Sequence, residues 1–311
     1  MAPDLDLSLF AKETPPAPPG SSDEVIRLTK LFYDKEHRIF VRLQNHPRIA
    51  RYHGWDLKHG LLFDRYPAGD LFTHLLQNRD TPPPLLLRLR WVREIAEGLA
   101  CIHSEGVVWV DVTLSNVLLT ESSSIVLCDF AGSCLINIPG EQKLPYEYRD
   151  CQVLASHMTQ MPRYKQGRLW KGPGSPHPNE DWLLNPHSDR FAFGALMFCL
   201  IALRFPHSPF FVVHDLKESV DIFKKHQALE FDTFGDVEEY RALNEIVRKC
   251  FYAAYDSTDK LLEDIRVVCD AMPSNAPLLQ DKIRDSEVYL PESRSTNRRL
   301  FPFGDNEDEF D

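Results

Sequence analysis

Trp109-Val110-Asp111-Val112-Thr113-Leu114-Ser115-Asn116, followed by Cys128-Asp129-Phe130-Ala131-Gly132, is the stretch on which the fold turns. Three short runs with strand character, Val107 to Val110, Val117 to Thr120 and Ile125 to Cys128, frame these residues. Asp111 and Asn116 bracket a tight loop between two strands and Asp129 ends the next strand, so three polar side chains are expected to converge. Moving a phosphoryl group needs this equipment: one carboxylate to orient and deprotonate the attacking hydroxyl, and oxygen ligands for Mg²⁺. Taken alone, Asp-x-x-x-x-Asn is a weak pattern, because Asp and Asn are also ordinary turn residues.

On the N-terminal side, Trp91, Ile95, Leu99 and Ile102 recur at helical spacing, which predicts a long helix ending at the Ser104-Glu105-Gly106 turn. Ile49 to Trp55 and Leu61 to Tyr66, separated by a Lys-His-Gly turn, read as a hairpin. Glu36 to Leu43 places Ile39, Phe40 and Leu43 on one helical face and stops at His46-Pro47, where proline blocks continuation. On the C-terminal side, residues 132 to 187 are irregular and helices resume from Asp189 to Met272. Residues 1–24, with their PPAPPG cluster, are expected to be a disordered leader, and 273–311 an acidic flexible tail. Strands early, helices late and a long irregular segment between them predict an α+β fold with a cleft.

Composition narrows the function classes. A formal charge of −11 disfavours nucleic acid and anionic membranes as partners, because both rest on positive charge meeting phosphate. Seven scattered cysteines without a C-x-x-C pair suggest neither a disulfide framework nor a zinc site, and fit a reducing intracellular compartment, cytoplasmic or nuclear. Met1 to Gly20 lacks the layout of a signal peptide, and the apolar run Phe191 to Leu203 is too short to span a bilayer. His157, His177 and His187 have no paired ligand spacing, and the basic run Arg163, Lys165, Arg168 and Lys171 reads as a solvated loop.

The loop at Asp111 resembles the H-R-D-x-x-x-x-N of eukaryotic-type protein kinases, and Asp129-Phe130-Ala131 resembles their D-F-G, at the family's separation of 18 residues. Other pieces fall in the family's order. Glu36 resembles the helix-C glutamate, Phe63 to Leu71 the gatekeeper and hinge, and Ser188-Asp189-Arg190-Phe191-Ala192-Phe193-Gly194 the start of helix F. The local wording is most similar to divergent fungal protein kinases. The resemblance implies a bilobal fold, with a reduced β-rich N-lobe at 25–66 and a helical C-lobe at 67–272 whose activation segment covers about 129–180. It implies ATP and Mg²⁺ as cofactors, Asp111 and Asn116 as catalytic residues, and Asn116 and Asp129 as metal ligands. Adenine would lie against the backbone near Asp64 and Tyr66, and ribose against Asp70. The implied activity is slow γ-phosphate transfer to Ser or Thr of a protein substrate, by a monomer.

Departures from the family pattern cluster in the phosphate-gripping parts. Before Glu36 there is one glycine, Gly20, and no Gly-rich loop. The strand-3 lysine position falls to Arg27, in Val25-Ile26-Arg27, or to Lys30, and the sequence does not choose between them. Trp109 and Val110 replace the family's His and Arg, so a phosphate on the activation segment has no Arg partner and activity is expected not to depend on one. Thr113 and Ser115 stand where many members carry basic residues, and Pro178-Asn179-Glu180 stands for A-P-E. The alternative is a pseudokinase acting as a binding module. A start codon placed too late, or a missing exon, would also shorten the N-lobe. Small-molecule kinases share the Asp-x-x-x-x-Asn loop but are disfavoured by the His46-Pro47 and helix-F patterns.

Overall fold

The computed structural model describes residues 8–13, 23–43, 46–56, 58–136, 185–209, 211, 218, 221, 222, 224, 225 and 230–284. Helix α1 (Asp23–Arg42) is far longer than the Glu36–Leu43 core of its pattern. Tyr33, Glu36, Ile39, Phe40 and Leu43 form its buried face at helical spacing.

That face covers a three-stranded antiparallel sheet of order β1-β3-β2, built from β1 (Leu9–Lys12), β2 (Tyr52–Asp56) and β3 (Gly60–Asp64). The hairpin is as expected from its turn. Strand β1 corrects the reading of residues 1–24 as a wholly disordered leader: Phe10 pairs with Phe63 and Lys12 with Leu61 in register. Four residues supply enough ladder bonds only because β3 is already fixed beneath them.

The second lobe opens with α2 (Leu71–Gln77), capped by Asp70, and α3 (Leu85–Ser104). Two short strand pairs follow: β4 (Val107–Val108) against β7 (Cys134–Leu135), and β5 (Val117–Leu119) against β6 (Ile125–Leu127). Helices α4 (Pro186–Ala202), α5 (Arg241–Phe251) and α6 (Thr258–Ala271) complete it. The apolar run in α4 is buried on every side, and among the described residues no helix is long and apolar enough to cross a membrane. Most of the irregular segment, including Pro178-Asn179-Glu180, His157, His177 and its basic run, lies outside the described residues.

A backbone junction joins the lobes. The Ala50 amide donates to Leu127 at 2.9 Å and the Leu127 amide to Arg48 at 2.8 Å, so the chain after His46-Pro47 is stitched to β6. Gly98 on α3 permits this approach, since a Cβ there would lie 2.6 Å from the Leu127 side chain. Within the second lobe, Arg88, a buried residue of α3, donates to the Leu200 and Ile201 carbonyls at the negative end of α4. Burial pushes its guanidinium down to about 10.

Residues 273–284 correct the reading of the whole 273–311 segment as a flexible tail. The Ile283 amide donates to Arg79 at 2.9 Å, the Phe211 amide to Arg284 at 2.8 Å, and the Tyr240 hydroxyl to Pro277 at 2.5 Å. Ile283 is buried against the core. Ile283→Ala is expected to cost about 2–5 kcal/mol, read by urea unfolding. A loss below about 0.5 kcal/mol would mean that this strap is not part of the folded unit.

Candidate active site

The site is built around one buried carboxylate and one shared ammonium. Asp189, in the first turn of α4, is fully buried and accepts the Trp109 amide at 2.6 Å, the Val110 amide at 2.9 Å and His103 Nε2 at 2.9 Å. Three donors and the positive helix end make a buried carboxylate tolerable there. The loop they hold is strained: Val110 has φ 72°, in the left-handed region that a β-branched side chain avoids. Such strain costs about 1–3 kcal/mol and persists only when its surroundings dictate it.

Past that strained residue, the Asn116 side-chain nitrogen donates to the Asp111 carboxylate at 2.9 Å and to its carbonyl at 3.0 Å. The amide oxygen of Asn116 is thereby turned the other way. The Asn116 carbonyl accepts the Cys128 amide at 3.0 Å, which sets Asp129 next to the loop. Trp109 adds a second link, its indole N–H shared between the carbonyls of Cys128 and Asp129 at 3.1 and 3.2 Å.

Lys12, the last residue of β1, reaches across the cleft. Its Nζ lies 2.8 Å from Glu36 Oε1 and 3.0 Å from Asp129 Oδ1. Burial would lower its pKa, but the carboxylates of Asp129 and Glu36 outweigh burial and raise it, so the ammonium stays charged. Burial raises the pKa of Glu36, opposed by Lys12, and the Phe130 amide donates to the same oxygen at 3.1 Å. An aromatic column stands behind these charges: Tyr52 and Phe40 at 5.5 Å, Phe40 and Phe130 at 5.0 Å, Phe130 and Trp109 at 6.1 Å. It runs from the sheet, through α1, to the loop that Asp189 holds.

A family model described as "Protein kinase domain" matches residues 23–257. The chain belongs to the protein kinase domain family. The serine/threonine-protein kinase RUNKEL of Arabidopsis thaliana is 34% identical over 99 residues, 31% of this chain and 7% of that protein. The MAP kinase kinase kinase wis4 of Schizosaccharomyces pombe is 28% identical over 131 residues, 42% of this chain and 9% of that protein. The meiosis-specific serine/threonine-protein kinase MEK1 of Saccharomyces cerevisiae is 33% identical over 125 residues, 36% of this chain and 24% of that protein. The chain thus spans about a quarter or less of these relatives' lengths.

Within this kinase domain, Glu36, Asp111, Asn116 and Asp129 are drawn into the contacts just described. The assignment of Arg27 or Lys30 as the partner of Glu36 is corrected. Both lie on α1 itself, Arg27 about 13 Å along the axis from Glu36, and Lys30 is exposed. Lys12, which precedes the matched residues, holds that place. Its only sequence cue was an apolar trio, Leu9-Phe10-Ala11, ending in a lysine. Asp64 turns its side chain to His53 at 2.6 Å and its amide to the Arg51 carbonyl at 3.0 Å, whereas the Tyr66 amide has no backbone partner among the described residues. Asp70 accepts Thr73 at both carboxylate oxygens, each at 2.9 Å. Trp109 and Phe40 were not singled out as site residues by sequence reasoning, although their aromatic character at those positions was visible.

Asp189→Asn exchanges an acceptor for a donor facing two amides, and is expected to cost about 3–5 kcal/mol in urea unfolding. Amide exchange at Trp109 and Val110 should rise with it. Unchanged exchange at both would mean that Asp189 does not hold the loop.

Proposed function

We propose that this domain catalyses Mg-ATP-dependent phosphoryl transfer to Ser or Thr hydroxyls of a protein. The observation that carries the reading is the Lys12 ammonium set between Glu36 and Asp129. Glu36 orients the lysine, and Lys12 meets the nucleotide phosphates from the strand side. Asp111 accepts the proton of the attacking hydroxyl, held in place by Asn116. The donor set suits a hard divalent cation, because Asp129 brings carboxylate oxygens and Asn116 an amide oxygen turned away from Asp111. Mg-ATP supplies the transferable phosphoryl group and the charge that neutralises it. The Tyr66 backbone receives the base, and Asp70 the ribose.

The reaction is expected to be slow. Thr113 and Ser115 bring no positive charge to the transferred phosphate. A pseudokinase is the second reading. It is favoured by Asp70, whose carboxylate oxygens are both engaged in capping α2.

Asp111→Asn should lower transfer to a generic protein substrate by about 10² to 10⁴ while Mg-ATP affinity stays within twofold. Asp129→Asn should instead weaken the magnesium-dependent part of nucleotide binding. Radiolabel transfer and calorimetry with and without metal read the two effects. Nucleotide binding without any transfer by the unaltered protein would favour the pseudokinase reading.

A further inference from the structure

Lys12 occupies a precarious place for a residue with so narrow a task. It ends a four-residue strand that, among the described residues, pairs on one side, with β3. Its flexible stem must still deliver Nζ to two carboxylates at 2.8 and 3.0 Å at once. Strand ends fray, so register with β3 alone is a weak guarantee of that position.

A second tie comes from α1. The Tyr33 hydroxyl donates to the backbone carbonyl of Lys12 at 2.9 Å. Tyr33 lies three residues before Glu36 and shares its buried face, so one helical surface grips both the strand backbone and the lysine head. The ring is rigid, with two rotatable bonds, and transmits the helix position faithfully. Gly60 makes the contact sterically feasible. It has φ +86°, and a Cβ there would lie 2.2 Å from the Tyr33 hydroxyl oxygen and 2.4 Å from the Lys12 carbonyl oxygen. No side chain other than hydrogen fits between the tyrosine and the strand end.

We propose that Tyr33 is a positioning residue for Lys12, pinning the end of β1 to α1 through a gap that Gly60 keeps open. The role rests on the reading of Lys12 as the phosphate-facing lysine, but the clamp itself does not require nucleotide. Sequence gives little warning of it, since a tyrosine on an amphipathic helix reads as core.

Tyr33→Phe keeps the ring and removes the bond. With the fold checked by circular dichroism, the variant is labelled briefly without nucleotide, using an amine-reactive ester read by peptide mass spectrometry. Loosening Lys12 from its carboxylates should raise its labelling rate at least threefold, while exposed Lys30 stays unchanged. In steady state, kcat should fall threefold to thirtyfold, with KM for ATP within twofold. Gly60→Ala, which wedges the same contact apart, should raise Lys12 labelling as well, and the double variant should add little to either single one. Equal Lys12 labelling in the folded Tyr33→Phe protein and the unaltered one would overturn the clamp. So would a rise that Lys30 shares. If Tyr33→Phe fails to fold, Gly60→Ala decides by the same labelling criterion. If the unaltered protein neither binds Mg-ATP nor transfers phosphate, the kinase reading fails and the labelling result alone decides the clamp.

Discussion

The three-way contact of Lys12 with Glu36 and Asp129 is the constraint on which the rest of the structure depends. It joins a short strand, a long helix and a loop of the other lobe through a single ammonium. Glu36 is nearly dry, and a buried carboxylate without its partner would cost several kcal/mol. The strand therefore cannot leave without destabilising the helix. Two carboxylates against one ammonium leave a surplus negative charge, which a divalent cation carrying phosphates would balance. Structure and proposed chemistry thus draw on the same electrostatic imbalance.

Asp189 supplies the complementary anchor on the far side of the cleft. Its hold on two successive amides lets Val110 persist at positive φ, and that geometry sends Trp109 one way and Asp111 the other. Trp109 then serves both lobes, closing the aromatic column below Phe130 and bonding the carbonyls of Cys128 and Asp129. A tryptophan can do this in place of a smaller ring because its N–H reaches a backbone acceptor while its body fills apolar space.

Legibility in the sequence followed locality. The loop at Asp111 and Asn116, Asp129 and helix α4 with Asp189 were readable, because each is a short motif whose chemistry dictates its neighbours. The hairpin was readable from its Lys-His-Gly turn and α3 from periodicity. Lys12 was not. Its partner lies 24 residues away, a proline cluster follows it, and four strand residues carry almost no periodic pattern. The same proline cluster favours reading residues 1–24 as a leader, while Val25-Ile26-Arg27, strand-like in composition, lies within α1. The strap at 273–284 was hidden for a related reason: backbone hydrogen bonds and one buried isoleucine fix it, and neither leaves a mark in composition.

The most direct measurement of the central claim is titration calorimetry of Mg-ATP into the unaltered protein, Lys12→Met and Arg27→Met, each first shown to be folded. With Lys12 as the phosphate-facing lysine, the unaltered protein binds, Lys12→Met binds at least about tenfold more weakly, a difference of roughly 1.4 kcal/mol, and Arg27→Met stays within twofold. Equal affinity in Lys12→Met, or a tenfold loss in Arg27→Met, would contradict the account.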